Sequence, residues 1–273
     1  MEIKPVLKWV GGKRQLLPEL TKRMPTTYKT YCEAFIGGGA LLFAIQPKTA
    51  IINDFNSELI NVYQTIKKHP QALINYLKKT ENTSEFFYDL RSADRDGRID
   101  KMSDIERAGR ILYLNKTCYN GLYRVNRSGQ ANSPFGSYKN PLLCPEDTIR
   151  AISKYFNDND VQILNGDFAD ATTTLTEGDF CYFDPPYDPV SETASYTGYT
   201  SNGFDKASQI RLKELCDDLN NRGVRFMLSN SATDFIKDLY ADYYIDIVGA
   251  KRAINSKGDK RGEVNEVIVR NYE

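Results

Sequence analysis

Tyr31-Cys32-Glu33-Ala34-Phe35-Ile36-Gly37-Gly38-Gly39-Ala40, continuing to Ile66, is the stretch that decides the fold. Tyr31–Ile36 is strand-like, the glycines make a tight turn, and Ala40–Ile45 has helical character; Ala50-Ile51-Ile52 is again strand-like and Glu58–Ile66 again helical. Two short apolar runs joined through a helix predict parallel strands, because a tight hairpin cannot return the chain to the same end of a sheet. The passage reads as the start of a βαβ layout.

Outward from there, residues 70–118 read mostly as helices, and residues 119–140 carry the Gly, Pro, Asn and Tyr content of a hairpin or ordered loop. From 145 the alternation resumes, with strands at Val161–Leu164, Phe180–Phe183, Val224–Leu228 and Tyr244–Val248 and helices near 146–156, 206–221 and 232–240. The last run, Val264-Asn265-Glu266-Val267-Ile268-Val269, is expected to form an antiparallel edge strand. Strands separated by helices favour an α/β fold, a mostly parallel sheet covered on both faces, with ligands bound beyond the carboxyl ends of its strands. Residues 1–56 and 145–273 are expected to form the catalytic and cofactor-binding domain, interrupted at 57–144 by a subdomain of helices plus the hairpin.

Composition narrows the chemistry. The 36 basic and 36 acidic residues cancel, so any nucleic-acid surface must come from local clustering. No stretch approaches the roughly 18 apolar residues of a membrane span, and the first residues lack a signal-peptide core, so a cytoplasmic protein with no membrane partner is expected. Cys32, Cys118, Cys144, Cys181 and Cys216 make no C-x-x-C pair, which predicts free thiols and no zinc site. His69 is the only histidine, beside Pro70 in an expected interhelical turn; this excludes a Ser-His-Asp triad and a multi-histidine metal site. The chemistry must then use carboxylates, backbone groups, aromatics and a cofactor, with no metal.

Motifs just after strands carry the functional signal. Gly37-Gly38-Gly39 lets backbone approach a ligand, although a plain tight turn also explains it and the spacing is not a full G-x-G-x-x-G. The second strand ends in Asn53-Asp54, where a carboxylate can accept both ribose hydroxyls or, equally, cap the helix beginning near Asn56. Asp167-Phe168 follows the third strand and offers a carboxylate and a ring for a nucleobase, but is also a common turn. Lys8-Trp9-Val10-Gly11-Gly12-Lys13 concentrates the only tryptophan, two glycines and two lysines without the frame of a P-loop.

The most specific signal is Phe180-Cys181-Tyr182-Phe183, a buried-strand run ending abruptly in Asp184-Pro185-Pro186-Tyr187. Two prolines fix φ and remove two donors, leaving a rigid segment that presents carbonyl acceptors beside an acid. An aromatic amine such as adenine N6 is a poor nucleophile because its lone pair is delocalised into the ring. Asp184 and the Pro185 carbonyl suit the task of accepting its two hydrogens and localising that pair. Tyr187 supplies a flat face for an extruded base.

Together these motifs, in this order, make the chain resemble the Dam-type DNA adenine-N6 methyltransferases, essentially end to end. The resemblance implies a class I S-adenosylmethionine methyltransferase fold with a mixed seven-stranded sheet, and S-adenosylmethionine as cofactor with S-adenosylhomocysteine as product. By similarity, Trp9 and Lys13 belong to the amino-terminal cofactor motif, Phe35, Gly37 and Gly39 to the methionine-binding turn, Asp54 is the ribose ligand, and Asp167 and Phe168 meet the cofactor adenine. Asp184, Pro185, Pro186 and Tyr187 are the catalytic tetrapeptide.

From Arg107 to Pro145 there are six basic residues and no Asp or Glu, interleaved with aromatics, a local nucleic-acid footprint on a neutral protein or else a solvated basic face. The segment resembles the recognition hairpin of Dam-type enzymes specific for GATC, with double-stranded DNA as the partner. That similarity implies that Arg124 reads a guanine, Leu122 and Pro134 touch a thymine methyl, Tyr119 and Asn120 fill the gap left by the flipped adenine, and Lys8 contacts the first guanine. Tyr138 and Lys139 complete the hairpin. Ser137 stands where some members carry a phosphate-binding Arg. A second basic cluster, Lys251, Arg252, Lys257, Lys260 and Arg261, either holds phosphate or is an ordinary solvated loop. A monomer is expected, and a cognate restriction endonuclease acting on the same site is a candidate partner. Alternatives are a methyltransferase of the same chemistry acting on another adenine site, on RNA or on protein glutamine, a DNA-binding relative without catalysis, and a nicotinamide oxidoreductase, which the incomplete glycine fingerprint disfavours.

Overall fold

The structure is a computed structural model that describes residues 3–9, 11–126, 128–190, 204–251 and 263–273. Its strands are β1 (Tyr31–Glu33), β2 (Thr49–Asp54), β3 (Asp160–Asn165), β4 (Phe180–Phe183), β5 (Arg225–Ser231), β6 (Tyr244–Lys251) and β7 (Glu263–Arg270). They form one seven-stranded sheet in the order β3-β2-β1-β4-β5-β7-β6, parallel from β3 through β5 and antiparallel where β7 meets β5 and β6. The expected mixed, mostly parallel sheet is therefore what the chain builds. Among the described residues no helix is long and apolar enough to cross a membrane, and all five cysteines are free.

One expectation needs correction: β7 is antiparallel but is not an edge. It inserts between β5 and β6, leaving β6 at the rim. Val267, Ile268 and Val269 are fully buried, and an uninterrupted apolar triplet is what a strand covered on both faces requires.

The helices are α1 (Leu17–Arg23), α2 (Ala40–Ile45), α3 (Ser57–Lys68), α4 (Pro70–Leu77), α5 (Ser84–Ser92), α6 (Asp104–Thr117), α7 (Glu146–Asp158), α8 (Lys206–Asn221) and α9 (Asp234–Leu239); α3 lies against β2 and β3, α7 against β3 and α8 against β5, while α4 and α6 pack on α3 and α5 packs on α6. Because strand side chains alternate, the sheet feeds two cores. Tyr31, Ile52, Phe180, Tyr182 and Met227 pack with side chains of α2 through α7, whereas Cys32, Ile51, Cys181, Phe183 and Phe226 pack with those of α8 and α9. Every residue of β4 is buried, which is why its sequence is a continuous apolar run.

Between β2 and β3 the chain runs through α3 to α7. Asn56 caps α3 by accepting from Leu59 N at 3.1 Å, and Leu59, Ile60, Val62, Tyr63 and Ile66 bury one face, each worth roughly 1.5–3 kcal/mol. His69 ends α3 and precedes Pro70 at the start of α4, the interhelical turn its neighbour predicted. Helix α6 opens with a capping box, Ser103 with Glu106. It carries Arg110, only 1% exposed, which donates to Leu90 O at 2.7 Å and to Asp94 Oδ2 at 2.8 Å. The segment after α6 is an irregular loop rather than a regular hairpin, with isolated bridges at Cys118–Phe135 and Val125–Ala131.

Candidate active site

Strand order reverses between β1 and β4: the chain steps from β1 outward to β2 and β3, then crosses back to β4. Ligands of open α/β sheets bind beyond the carboxyl ends at such a point. The glycine turn leaves β1 there and the Asp-Pro-Pro-Tyr segment leaves β4.

At the glycine turn Gly37 has φ 46° and Gly39 φ 69°. A Cβ on Gly37 would come within 3.1 Å of the Trp9 ring and one on Gly39 within 2.7 Å of Phe43, so both conformation and space demand glycine. Trp9 thus packs on the turn although the two lie in separate motifs. Tyr63 OH donates to Gly37 O at 2.7 Å, and Asp54 accepts from Gly37 N through Oδ2 at 3.0 Å and from Asn56 N through Oδ1 at 2.9 Å. The helix cap is therefore Asn56 itself, and Asp54 braces the turn. Burial lifts the Asp54 carboxyl above its ordinary value against those two donors. Beside it Phe55 is 66% exposed, an aromatic at the candidate cofactor edge that motif reading passed over.

Buried Asn53 donates to Ala34 O and Gly166 O, both at 3.1 Å, tying the turn after β3 to the same edge. The Phe168 ring stacks on Phe35 at 5.3 Å, and the Arg211 guanidinium lies 4.2 Å from its centroid. Arg211 also donates to Asp167 Oδ2 at 2.6 Å. Partial burial works to raise the Asp167 carboxyl, but Arg211 and the Ala169 N–H outweigh it and hold it below the ordinary range.

Asp184 sits where β4 ends. The Lys13 ammonium lies 2.8 Å from its Oδ1, donates to Gly11 O at 2.7 Å and stands 4.4 Å from the Tyr187 ring centroid. Lys13, expected with the cofactor, is thus engaged by the tetrapeptide. Burial, with the Glu266 carboxylate adding to it, pushes Asp184 up to about 6 despite Lys13. On β1, Glu33 is 3% exposed and accepts from Tyr31 OH at 2.7 Å. Burial pushes it to about 8, with that hydroxyl opposing and Asp184 reinforcing the shift.

The backbone after Asp184 is clamped from β5 and α8. Gln209 donates to Pro186 O at 2.9 Å, Asn230 donates to Gln209 Oε1 at 3.0 Å and accepts from Asp188 N at 3.0 Å, and Ser231 donates to Asp188 O at 2.7 Å. The sequence reading missed this set, although a signal existed: the apolar run of β5 gives way to Ser229-Asn230-Ser231, three polar residues at a strand's carboxyl end, all buried. It also missed Glu266, whose Oε2 accepts from Tyr187 OH at 2.7 Å.

Among the residues expected at DNA, Lys8 is tied both to α6 and to the loop that follows it. Asn115 binds the Lys8 backbone twice, accepting from its N at 2.9 Å and donating to its O at 2.8 Å, and the Lys8 ammonium contacts Asn120 O. Trp9 stacks on Tyr123 at 6.4 Å, so one ring joins the glycine turn to the loop. Tyr119 N donates to Pro134 O at 2.8 Å; Tyr119, Asn120, Arg124, Pro134, Tyr138 and Lys139 are exposed and Leu122 is half-buried. Ser137 adopts φ 51°. Asp94 holds the loop to α5 and α6: its Oδ2 accepts from Ala131 N at 2.7 Å as well as from Arg110. Of the second basic cluster, Arg252, Lys257, Lys260 and Arg261 lie outside the described residues.

Residues 9–254 match the family model described as D12 class N6 adenine-specific DNA methyltransferase. The chain is 48% identical to the Type II methyltransferase M1.LlaDCHI of Lactococcus lactis subsp. cremoris, over all of this chain and 96% of that protein. It is 40% identical to the Type II methyltransferase M.MjaIII of Methanocaldococcus jannaschii over the whole of both. With the DNA adenine methylase of Escherichia coli K12 it shares 32% identity, over 96% of this chain and 93% of that one.

Proposed function

Because the chain belongs to the D12 class of N6 adenine-specific DNA methyltransferases, we propose that it methylates N6 of a flipped-out adenine in GATC, with Asp184-Pro185-Pro186-Tyr187 as its catalytic segment. The observation that carries this reading is Asp184, a carboxylate at the end of β4 with its Oδ1 2.8 Å from the Lys13 ammonium, at the switch point of the sheet and beside a turn that only glycine fits.

Methyltransferases of this class use S-adenosylmethionine, which supplies a methyl already activated on a sulfonium. The residues fit it: Asp54 offers a half-buried carboxylate for the ribose hydroxyls, the Gly37–Gly39 turn is seated tightly against Trp9 and Phe43, and Asp167 with the half-buried Phe35, backed by the buried Phe168, faces the adenine. Asp184 accepts one N6 hydrogen and the Pro185 carbonyl the other, which returns the amine lone pair to nitrogen. Tyr187 carries the base on its face. Lys13 we assign to holding Asp184 and Tyr187 rather than to the cofactor.

Residues 57–144 form the target-recognition subdomain in this reading, inserted into the catalytic domain of 1–56 and 145–273. Arg124 presents its fork to guanine O6 and N7, Lys8 meets the other guanine, Leu122 and Pro134 the thymine methyl, and Tyr138 and Lys139 the backbone. Ser137 replaces a phosphate contact and weakens affinity more than specificity. The protein acts as a monomer, and the names of the two type II relatives support a restriction endonuclease of the same site as its cellular counterpart. Methylating a plasmid and locating modified adenines by single-molecule sequencing tests the site: modification concentrated in GATC is expected, and modification concentrated elsewhere rejects the target while leaving the adenine chemistry intact.

A further inference from the structure

The antiparallel course of β7 brings to the site a residue that none of the motifs contains. The ligand edge of the sheet lies at the carboxyl ends of β1, β4 and β5. Strand β7 runs the other way, so its early residues arrive where β5 ends, with Glu266 opposite Ser231. Val267 and Val269 enter the core beneath α8 and α9, Ile268 enters the other core, and Glu266 shares the face of Ile268.

There the Glu266 carboxylate accepts the Tyr187 hydroxyl at 2.7 Å. The face of the same ring carries the Lys13 ammonium at 4.4 Å, and that ammonium is itself held by Asp184 and by Gly11 O. A phenol ring held at its tip by a carboxylate and on its face by a cation has its tilt set by groups from the two ends of the chain.

We propose that Glu266 is a positioning residue for methyl transfer: through the Tyr187 hydroxyl it fixes the tilt of the ring on which the extruded adenine stacks, and so the placement of N6 against Asp184. The inference rests on the reading of Tyr187 as the stacking platform. Displacing a bound base by a fraction of an ångström costs turnover far more than affinity, so the effect belongs in kcat.

The test uses the full chain and a duplex carrying the site that wild-type enzyme methylates, once with adenine for kinetics and once with 2-aminopurine at the target position for fluorescence in the presence of S-adenosylhomocysteine. Glu266→Leu and Tyr187→Phe remove the same hydrogen bond from its two sides. Each is expected to lower kcat by about tenfold with KM for DNA changed less than about threefold, and to brighten the 2-aminopurine as stacking loosens. The double variant should be no worse than either single, and Glu266→Gln, whose amide oxygen still accepts, should recover most of the loss. Tyr187→Phe adds no new buried polar group, so a wild-type kcat and signal in that variant overturns the proposal even if Glu266→Leu misfolds. If Tyr187→Ala alters both readouts while Glu266→Leu and Tyr187→Phe do not, Glu266 is dismissed and the platform stands; if Tyr187→Ala leaves the fluorescence unchanged, the platform itself is wrong.

Discussion

Asp184 faces two opposed demands, burial that favours its neutral form and the proposed reaction, which needs an acceptor. With its carboxyl at about 6, kcat/KM should fall as pH drops through 6, because protonation replaces an acceptor with a donor. For stability the sign is reversed. A carboxyl raised from its ordinary 3.8 favours the fold while protonated, so its contribution is present below about 4 and lost as pH rises through about 6. A pH profile of kcat/KM from 5 to 8 checks this, and an acidic limb at about 4.5 or below would count against it. The two aspartates should also separate. Asp184→Ala is expected to abolish turnover with S-adenosylmethionine binding near wild type, while Asp54→Ala, which strips the turn of its Gly37 N acceptor, should weaken cofactor binding first. Calorimetric titration of both variants decides it; loss of the binding signal in a folded Asp184→Ala protein would sink the assignment.

At the scale of elements, the loop between α6 and α7 is held by its neighbours more than by its own backbone pairing. Asp94 joins Ala131 N to the buried guanidinium of Arg110, so Asp94→Ala leaves a 1% exposed cation unpaired and should cost about 3–5 kcal/mol. Chemical denaturation measures that, and a change below about 1 kcal/mol, the size of an exposed pair, contradicts it. Within the loop, Arg124 and Lys139 are both exposed but carry different chemistry. Arg124→Ala should relax choice at one outer base pair by about ten- to a hundredfold, the value of a lost bidentate guanine contact. Lys139→Ala should weaken binding to all sequences and flatten its salt dependence. Identical phenotypes would contradict this division of roles.

The whole molecule joins the glycine turn, proposed to hold the cofactor, to the loop proposed to face DNA through a few side chains: Trp9 lies on the glycine turn and stacks on Tyr123, and Asn115 of α6 clamps the backbone of Lys8. Substrate and cofactor would therefore meet on one rigid framework, with the methyl already activated on sulfur. Turnover is accordingly expected to survive chelation. Full activity in EDTA is the outcome sought, and loss restored by a divalent ion would refute it.

The sequence by itself determined the layered α/β fold, because periods of two and of about 3.6 are imposed locally by strand and helix geometry. Phe180–Phe183 was legible residue by residue, being apolar throughout and cut off by prolines that no central strand continues. It also marked the glycine turn, Asp54 and the tetrapeptide, each defined by neighbours along the chain. Tertiary structure alone decided the partnerships. The Tyr187–Glu266 bond spans 79 residues and the Lys8–Asn115 pair 107, and no local period records which distant side chain will arrive. The place of β7 was lost for the same reason. A strand's neighbours are chosen by how the finished sheet buries both its faces, so the last strand of the sequence could become an interior strand of the sheet and carry Glu266 to the edge where β4 and β5 end.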